Sequence, residues 1–308
     1  MHSLPSFYYP TTTVCVDDDA LFLQGLSQIM DSKYLKTFQS PINCLSFFDS
    51  YKRPSTQMSF LRGVTEDERY DLLNHTPVDL NVSTLHQIYN IPERADEISV
   101  IIVDYMMPEM KGIELCKRLR SQLAKKILLT GEATHAEAIA AFNDNTIDRF
   151  ICKDSLTLAD DIQQYVAELS LQYFHEQTNA ILSHLEVEHK LPLSDKEFIK
   201  FFHELRTENS IKEFYFIDKN GSLLLVNDKN EEGFLVIHTD RSLNFFSELH
   251  DEIRKTSTFI EAIERRDKVP FFGIEKESWQ FDIDEWTQYL HDTKILNGRE
   301  TYYYSLTK

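Results

Sequence analysis

Short apolar runs alternate with helical patterns through the first half of the chain. Apolar residues at helical spacing predict helices at Ala20–Met30, Ile42–Tyr51, Ile113–Leu123 and Ala136–Phe142. Runs rich in β-branched residues predict strands at Thr12–Val16, Leu35–Phe38, Ser99–Val103, Lys126–Leu129 and Arg149–Cys152. Since parallel strands need a crossover connection, usually a helix, this alternation predicts an α/β fold. We expect a doubly wound, five-stranded parallel sheet with helices on both faces.

A polar, proline-containing segment interrupts this alternation between the second helix and the third strand. It covers Arg53–Arg94 and carries helical patterns near Glu66–Leu73 and Val82–Tyr89. A structureless loop of that length is unusual inside a compact domain. We therefore predict a helical insertion at about residues 53–97, with short helices packed against the parallel sheet.

A long helix without glycine or proline is predicted over about residues 155–190. Leu158, Ile162, Tyr165 and Leu169 recur along it at heptad-like intervals. Such a stripe fits a helix that lies on its own domain, and it also fits a short coiled coil that pairs two protomers.

The last part of the chain has a different pattern, with hairpin strands joined by turns of the Asn-Gly type. Strands are predicted at Ile211–Asp218, Leu223–Asn227, Phe234–His238, Val269–Ile274 and Arg299–Leu306. Helices are predicted from a cap at Ser194 to Arg206, over Ser242–Ile263 and over Asp284–Thr293. This pattern predicts an α+β domain with antiparallel hairpins. The expected organisation is a first domain at 1–160, a connecting helix at 155–190 and a second domain at 191–308.

Composition limits the classes of partner. The 308 residues include 32 Lys+Arg and 50 Asp+Glu, a formal net charge of −18. An acidic chain is repelled by nucleic acid phosphates and by anionic membranes. The 42% hydrophobic content is enough for buried cores, so general disorder is excluded.

The cysteines and the apolar runs bear on the compartment. Cys15, Cys44, Cys116 and Cys152 have a spacing that suits neither a zinc site nor a disulfide framework. Buried, reduced thiols are typical of intracellular proteins. The sequence has neither a signal-peptide pattern nor an apolar run long enough to span a membrane, so we expect a cytoplasmic protein that does not bind membranes.

Polar residues collect where the predicted parallel strands end. Asp17 and Asp18 close the first strand, and Asp104 closes the third. Ligands of doubly wound sheets bind at the carboxyl ends of the strands. Three carboxylates there would repel one another unless a divalent cation, for which Mg²⁺ is the best match, neutralises them. Thr130 and Lys153 end two further strands and suit a phosphoryl group on Asp104, whereas the neighbouring Asp19 is predicted to cap a helix.

These residues lie in segments that resemble the receiver domain of bacterial two-component response regulators over roughly residues 10–160. The matching segments are Val14–Asp18, Val103–Pro108 with Gly112, Leu128–Gly131 and Phe150–Lys153. The resemblance implies that Asp104 is the phosphoacceptor and that a sensor histidine kinase supplies the phosphoryl group. It also implies that Asp18, Asp104 and the backbone carbonyl of Met106 bind Mg²⁺, that Asp17 does so directly or through water, and that Lys153 pairs with the acidic cluster.

Further roles follow from the same resemblance. Thr130 and Phe150 correspond to the switch pair of the family, in which the hydroxyl moves toward the phosphoryl group and the ring swings inward. Met106 and Glu132 occupy the positions that tune the lifetime of the aspartyl phosphate. The chain departs from the family in the spacing from Asp18 to Asp104, which is about twice the usual one. The insertion could cap the site, alter partner docking or decorate the sheet edge, and we expect decoration.

The output of the second domain has several possible classes. We favour a module for phosphorylation-dependent homodimerisation and protein interaction. A PAS-like domain that binds a small molecule or nucleotide is the main alternative. DNA binding is disfavoured because the domain is acidic and lacks a helix-turn-helix pattern. A catalytic output domain is not expected either, because the motifs of cyclic-dinucleotide enzymes are absent from the sequence.

Two weaker resemblances concern the second half. Residues 202–207 resemble the phosphorylated-histidine box of sensor kinases, but Glu208 replaces the expected proline and no nucleotide-binding pattern follows. We therefore interpret His203 as part of an ordinary helix end. The overall organisation also resembles regulators of bacterial quorum-sensing circuits whose output domains are unclassified.

Overall fold

A computed structural model describes the protein at residues 3–54, 61–63, 78–80, 82–131, 135–182, 191–218, 220–248, 258–274 and 283–308. The described strands are β1 Phe7–Tyr8, β2 Thr12–Val16, β3 Leu35–Phe38, β4 Leu61–Gly63, β5 Val78–Leu80, β6 Ile98–Asp104, β7 Lys125–Thr130, β8 Arg149–Cys152, β9 Ile211–Phe216, β10 Leu223–Asn227, β11 Glu232–Thr239, β12 Lys268–Pro270, β13 Leu290–Asp292, β14 Lys294–Asn297 and β15 Thr301–Thr307. The α-helices are α1 Ala20–Ile29, α2 Pro41–Ser50, α3 Gly112–Arg118, α4 His135–Asn143, α5 Leu158–Leu182, α6 Leu191–Ser194, α7 Lys196–Glu208, α8 Asp240–Glu248 and α9 Thr258–Glu264. Short 3₁₀-helices cover Ser32–Tyr34, Val82–Asn90, Pro92–Asp96, Leu119–Ser121 and Ile283–Tyr289.

The chain divides into two compact units, which we name by their sheets. The parallel-sheet unit comprises Tyr9–Met58 and Ile91–Glu176. The antiparallel-sheet unit comprises Met1–Tyr8, Ser59–Asn90 and Gln177–Lys308.

Five parallel strands in the order β3-β2-β6-β7-β8 form the sheet of the first unit. Every residue of β6 and β7 is buried, as expected for strands covered on both faces. Side chains of β6 alternate between two apolar clusters, with Ile101 and Val103 in one and Val100 and Ile102 in the other. The predicted doubly wound parallel sheet is confirmed.

The second unit has a six-stranded antiparallel sheet in the order β1-β9-β10-β11-β15-β14. The β9–β10 connection contains Gly221 at φ +101, and the Asp218 Oδ1 accepts hydrogen bonds from three backbone N–H groups of this turn. Glycine adopts this φ without a steric penalty, which explains the turn at the predicted place. The predicted antiparallel hairpins are confirmed, and β1 and β14 extend the sheet beyond them.

Several predicted elements of this unit have different ends. Asp195, not Ser194, caps α7, because its carboxylate accepts from the Glu197 N–H. The sequence predicts a single helix at Ser242–Ile263. The structure describes α8 at the start of this stretch and α9 at its end, and residues 249–257 lie outside the described part. The helix predicted at Asp284–Thr293 is a 3₁₀-helix followed by β13, since residues 290–292 pair with β12 instead of extending a helix.

The domain boundaries differ from the predicted 1–160, 155–190 and 191–308. β1 pairs with β9, which places the N-terminal residues in the antiparallel-sheet unit. The connecting helix α5 is described over Leu158–Leu182, and residues 183–190 lie outside the described part. None of the described helices is long and apolar enough to cross a membrane.

The middle of the insertion, residues 61–63, 78–80 and 82–90, belongs to the antiparallel-sheet unit, whereas its ends, residues 53–54 and 91–97, belong to the parallel-sheet unit. β4 and β5 form a small antiparallel hairpin, and the 3₁₀-helix Val82–Asn90 packs against β9. Leu85 and Ile88 of that 3₁₀-helix are buried. The 3₁₀-helix Val82–Asn90 therefore packs on β9 and not on the parallel sheet as predicted, because β9 offers its apolar residues a surface. The helical pattern at Glu66–Leu73 lies outside the described residues.

The start of α3 approaches the end of β6 closely. The Gly112 N–H donates to the Tyr105 carbonyl oxygen at 2.9 Å. A Cβ at residue 112 would overlap the Asp104 carbonyl oxygen and would lie 3.0 Å from Val103 Cγ1. Only glycine fits here, because the obstruction is backbone that cannot rotate away.

We predict that Gly112→Ala destabilises the parallel-sheet unit by about 1–3 kcal/mol through overpacking. Gly25→Ala is the matched control, since residue 25 lies in an exposed part of α1 with no atom within 4 Å of the added Cβ. That variant should gain about 0.5–1 kcal/mol from helix propensity. Urea unfolding followed by circular dichroism measures both, and equal free energies of unfolding for the two variants would contradict the close approach.

A second prediction tests where the insertion belongs. Trp286 is buried in the core of the antiparallel-sheet unit, so its fluorescence reports the unfolding of that unit. Ile88→Ala should lower its free energy of unfolding by about 2–5 kcal/mol, as for a large-to-small change in a core. The control Ile162→Ala removes a buried side chain of the parallel-sheet unit and should shift the fluorescence transition less. If Ile88→Ala leaves that transition in place, the insertion does not stabilise this unit.

Candidate functional site

Parallel pairing brings two carboxylates to the same edge of the sheet. β2 and β6 are neighbours with Val16 opposite Val103, so Asp17 and Asp104 follow matched positions. Both are buried, whereas the adjacent Asp18 is exposed. The Asp17 Oδ1 also accepts the Asp19 N–H at 2.9 Å, which orients the Asp17 carboxylate toward the sheet edge.

Lys153 connects these two carboxylates. Its Nζ lies 2.6 Å from the Asp17 Oδ2 and 2.8 Å from the Asp104 Oδ1. The Lys153 backbone N–H donates to the Thr130 carbonyl oxygen at 2.8 Å, so the end of β8 is tied to the end of β7. The structure therefore brings together the charged residues that the sequence placed at separate strand ends.

Burial and charge act in opposite directions on the ionisation of this pair. Burial raises the pKa of Asp104 above its ordinary value, although the hydrogen bond from Lys153 opposes the shift. Burial alone would lower the pKa of Lys153, but its hydrogen bonds to Asp104 and Asp17 outweigh it, so the pKa is raised. Lys153 is therefore held as a cation beside the carboxylates.

The donor set fits a small divalent cation. Asp17, Asp18 and Asp104 each offer a carboxylate oxygen, and these oxygens lie within 4.8 Å of one another. One ammonium beside three carboxylates leaves an excess of negative charge, which a hard divalent cation neutralises best. The exposure of Asp18 leaves one side of the cluster open to water, as Mg²⁺ sites require, since Mg²⁺ keeps several of its waters.

The segment after Asp104 shapes the mouth of the site. The Met106 N–H donates to the Asp104 Oδ2 at 3.1 Å, and its side chain is 63% exposed. Glu132, the other residue predicted to tune the phosphate lifetime, lies outside the described residues.

The predicted switch residues lie on the neighbouring strands. Thr130 is fully buried, and its hydroxyl donates to the Ile151 carbonyl oxygen at 3.4 Å. Phe150 is half-buried, with its ring centroid 5.8 Å from that of His135 and 6.5 Å from that of Phe142. The hydroxyl is thus turned toward β8, and the aromatic ring packs beside α4.

Sequence reasoning missed one aromatic residue at the site. The ring of Phe22, in the first turn of α1, lies over the Lys153 ammonium with 4.9 Å between Nζ and the ring centroid. Asp19 caps this helix as predicted, accepting from the Leu21 and Phe22 N–H groups. The sequence signal for Phe22 is weak, because an aromatic residue at helical spacing is usually read as core.

The sequence predicts that His203 is part of an ordinary helix end. In the structure it lies in the C-terminal half of α7. The hydroxyl of Thr207 donates to the His203 carbonyl oxygen at 2.9 Å. Burial lowers the pKa of the half-buried imidazole.

A comparison with protein families agrees with the geometry of the site. Residues 73–166 match the response regulator receiver domain, and this range contains Asp104, Thr130 and Lys153. No curated protein matches the chain significantly. The family generally binds Mg²⁺ through acidic residues, and membership implies a phosphodonor such as a histidine kinase.

Solved structures extend the likeness beyond the receiver. The response regulator LqsR of Legionella pneumophila is 30% identical with a TM-score of 0.79, covering 100% of this chain and 90% of that chain. A CheY-like receiver domain protein from Methanospirillum hungatei JF-1 is 16% identical with a TM-score of 0.35, covering 54% of this chain and 98% of its own. The receiver domain of the Francisella response regulator 1452 is 17% identical with a TM-score of 0.33, covering 53% and 98%. Because the match to the LqsR response regulator spans the whole chain at 30% identity, the chain belongs to the two-component response regulators.

Proposed function

We propose that Asp104 accepts a phosphoryl group from the phosphohistidine of a sensor histidine kinase. The observation that carries this proposal is the Lys153 ammonium shared between the buried Asp17 and Asp104 carboxylates, beside the exposed Asp18. A nucleophile for phosphoryl transfer needs nearby cations and an open approach, and this edge of the sheet supplies both.

The transfer needs few protein groups. A carboxylate oxygen of Asp104 attacks phosphorus while the bond from phosphorus to the imidazole nitrogen breaks, and the electron pair stays on that nitrogen. Lys153, 2.8 Å from Asp104, lies within reach of the phosphoryl oxygens and balances their charge. Mg²⁺ bound by Asp18, Asp104 and the Met106 carbonyl, with Asp17 directly or through water, would neutralise charge on the same oxygens.

Neighbouring residues then convert the modification into a change of surface. We propose that the Thr130 hydroxyl leaves the Ile151 carbonyl and donates to a phosphoryl oxygen, which vacates space beside β7. Phe150, half-buried between His135 and Phe142, turns inward to fill it. Such a local hydrogen-bond change biases a two-state element on the α4 side of the domain. Met106 and Glu132 set how long the phosphate persists.

The output of the protein is association with another protein chain, and not binding to DNA. We propose a phosphorylation-dependent homodimer that acts in the cytoplasm without a catalytic output domain. The acidic balance of the chain supports this choice, because a DNA-binding surface needs an excess of basic side chains. The four free thiols suit a reducing compartment, and burial raises the pKa of Cys44 and of Cys116 to about 12, which leaves these thiols unreactive.

The phosphoacceptor assignment predicts a single site of modification. Incubation of the full chain with Mg²⁺ and a small phosphodonor such as acetyl phosphate should add one phosphoryl group, seen by intact-mass spectrometry. Asp104→Asn should abolish the addition, because an amide cannot attack phosphorus. Asp49→Asn, an exposed position on α2, is the matched control and should behave as the unsubstituted chain. Equal labelling of Asp104→Asn would rule out the assignment, and omission of Mg²⁺ should slow the labelling.

The output proposal predicts a change of oligomeric state. Light scattering coupled to sizing chromatography should show the mass doubling after phosphodonor treatment, because phosphorylation alters the surface beside α4. Asp104→Asn should keep the mass of the untreated chain under the same conditions. A phosphorylated chain whose mass stays unchanged would contradict dimerisation as the output while leaving the phosphoacceptor assignment intact.

A further inference from the structure

Phe22 is connected to the charged residues of the site by four successive contacts that begin and end at Asp17. The Asp17 Oδ1 accepts the Asp19 N–H at 2.9 Å, and the Asp19 Oδ1 accepts the Phe22 N–H at 3.2 Å. The Phe22 ring lies over the Lys153 ammonium, whose Nζ returns to the Asp17 Oδ2 at 2.6 Å. Asp19, which caps α1, therefore also orients the ring that covers the lysine.

The surroundings of the ammonium explain what a ring adds there. The ammonium forms ion pairs with two carboxylates, with its Nζ 2.6 Å from the Asp17 Oδ2 and 2.8 Å from the Asp104 Oδ1. The Lys153 side chain is still 27% exposed, so it could swing into solvent on its flexible stem. An aromatic face attracts a cation and excludes water from that side.

Phe22 is itself well anchored. It is half-buried and packs against the apolar cluster that includes Leu23, Leu26 and Ile151. Ile151 lies in β8, and Lys153 directly follows that strand. The same apolar cluster therefore supports both the ring and the strand that carries the lysine. A ring with such support can hold a side chain without first being ordered by it.

We propose that Phe22 is a positioning residue that holds the Lys153 ammonium at the phosphoacceptor through the face of its ring. This inference rests on the proposed phosphoryl transfer to Asp104. When Asp104 is phosphorylated, its contact with Lys153 must be redistributed to the phosphoryl oxygens. The ring keeps the ammonium at the sheet edge during that exchange, so the cation does not have to return from solvent.

The electrostatic role can be separated from packing by fluorinating the ring. Phenylalanine carrying one, two or three ring fluorines, incorporated at position 22 of the full chain, weakens the negative face of the ring with little change in shape. The initial rate of Asp104 phosphorylation by acetyl phosphate with Mg²⁺ should fall stepwise, by about two- to fivefold in total. A merely structural role would leave the rate flat along this series.

The controls keep the outcomes distinguishable. The same series at Phe48, a buried ring that packs against Tyr51 on the other side of the sheet, should leave the rate unchanged. Phe22→Leu should lose a similar factor and Phe22→Tyr should restore it, with urea unfolding confirming that each variant is folded. A flat series at Phe22 in a chain that is still labelled on Asp104 overturns the positioning role alone. Absence of labelling in the unsubstituted chain overturns the proposed function itself.

Discussion

The ion pairs of Lys153 with Asp17 and Asp104 are the interaction on which the functional edge of the protein depends. Two buried carboxylates at neighbouring strand ends would otherwise repel each other in surroundings that screen charge poorly. The lysine makes their proximity possible, and an excess of negative charge remains, which is the kind of donor set that a hard divalent cation fits. Burial makes unpaired charges costly here, and it also strengthens the attraction between the ammonium and the two carboxylates.

The rest of the parallel-sheet unit holds these three groups in place. Matched pairing of β2 with β6 and of β7 with β8 sets where the carboxylates and the lysine emerge. Along the chain the insertion precedes β6, and Asp104 is the last residue of that strand. The residue that closes β6 thus follows the long insertion in the sequence, and β6 still pairs with β2.

The antiparallel-sheet unit is built from three segments that are far apart in the sequence. The edge strand β1 of its six-stranded sheet comes from the N-terminal residues, and the 3₁₀-helix against β9 comes from the insertion. The other five strands of that sheet follow α7. The chain therefore passes between the two units several times. Such connectivity ties the folding of the second unit to segments that the first unit interrupts, because loop closure has to precede the pairing of β1 with β9.

The sequence by itself determined the elements whose signals are local. Runs such as Val100–Val103 buried on both faces, the cap at Asp19 and the turn at Gly221 each follow from a few neighbouring residues, and strand ends located Asp17, Asp104 and Lys153. Only the tertiary structure decided that β1 and Val82–Asn90 join β9, that residues 290–292 form a strand, and that Phe22 covers Lys153. These features depend on contacts between segments that are far apart in the sequence. The local residues of a short apolar segment do not indicate the surface on which it packs.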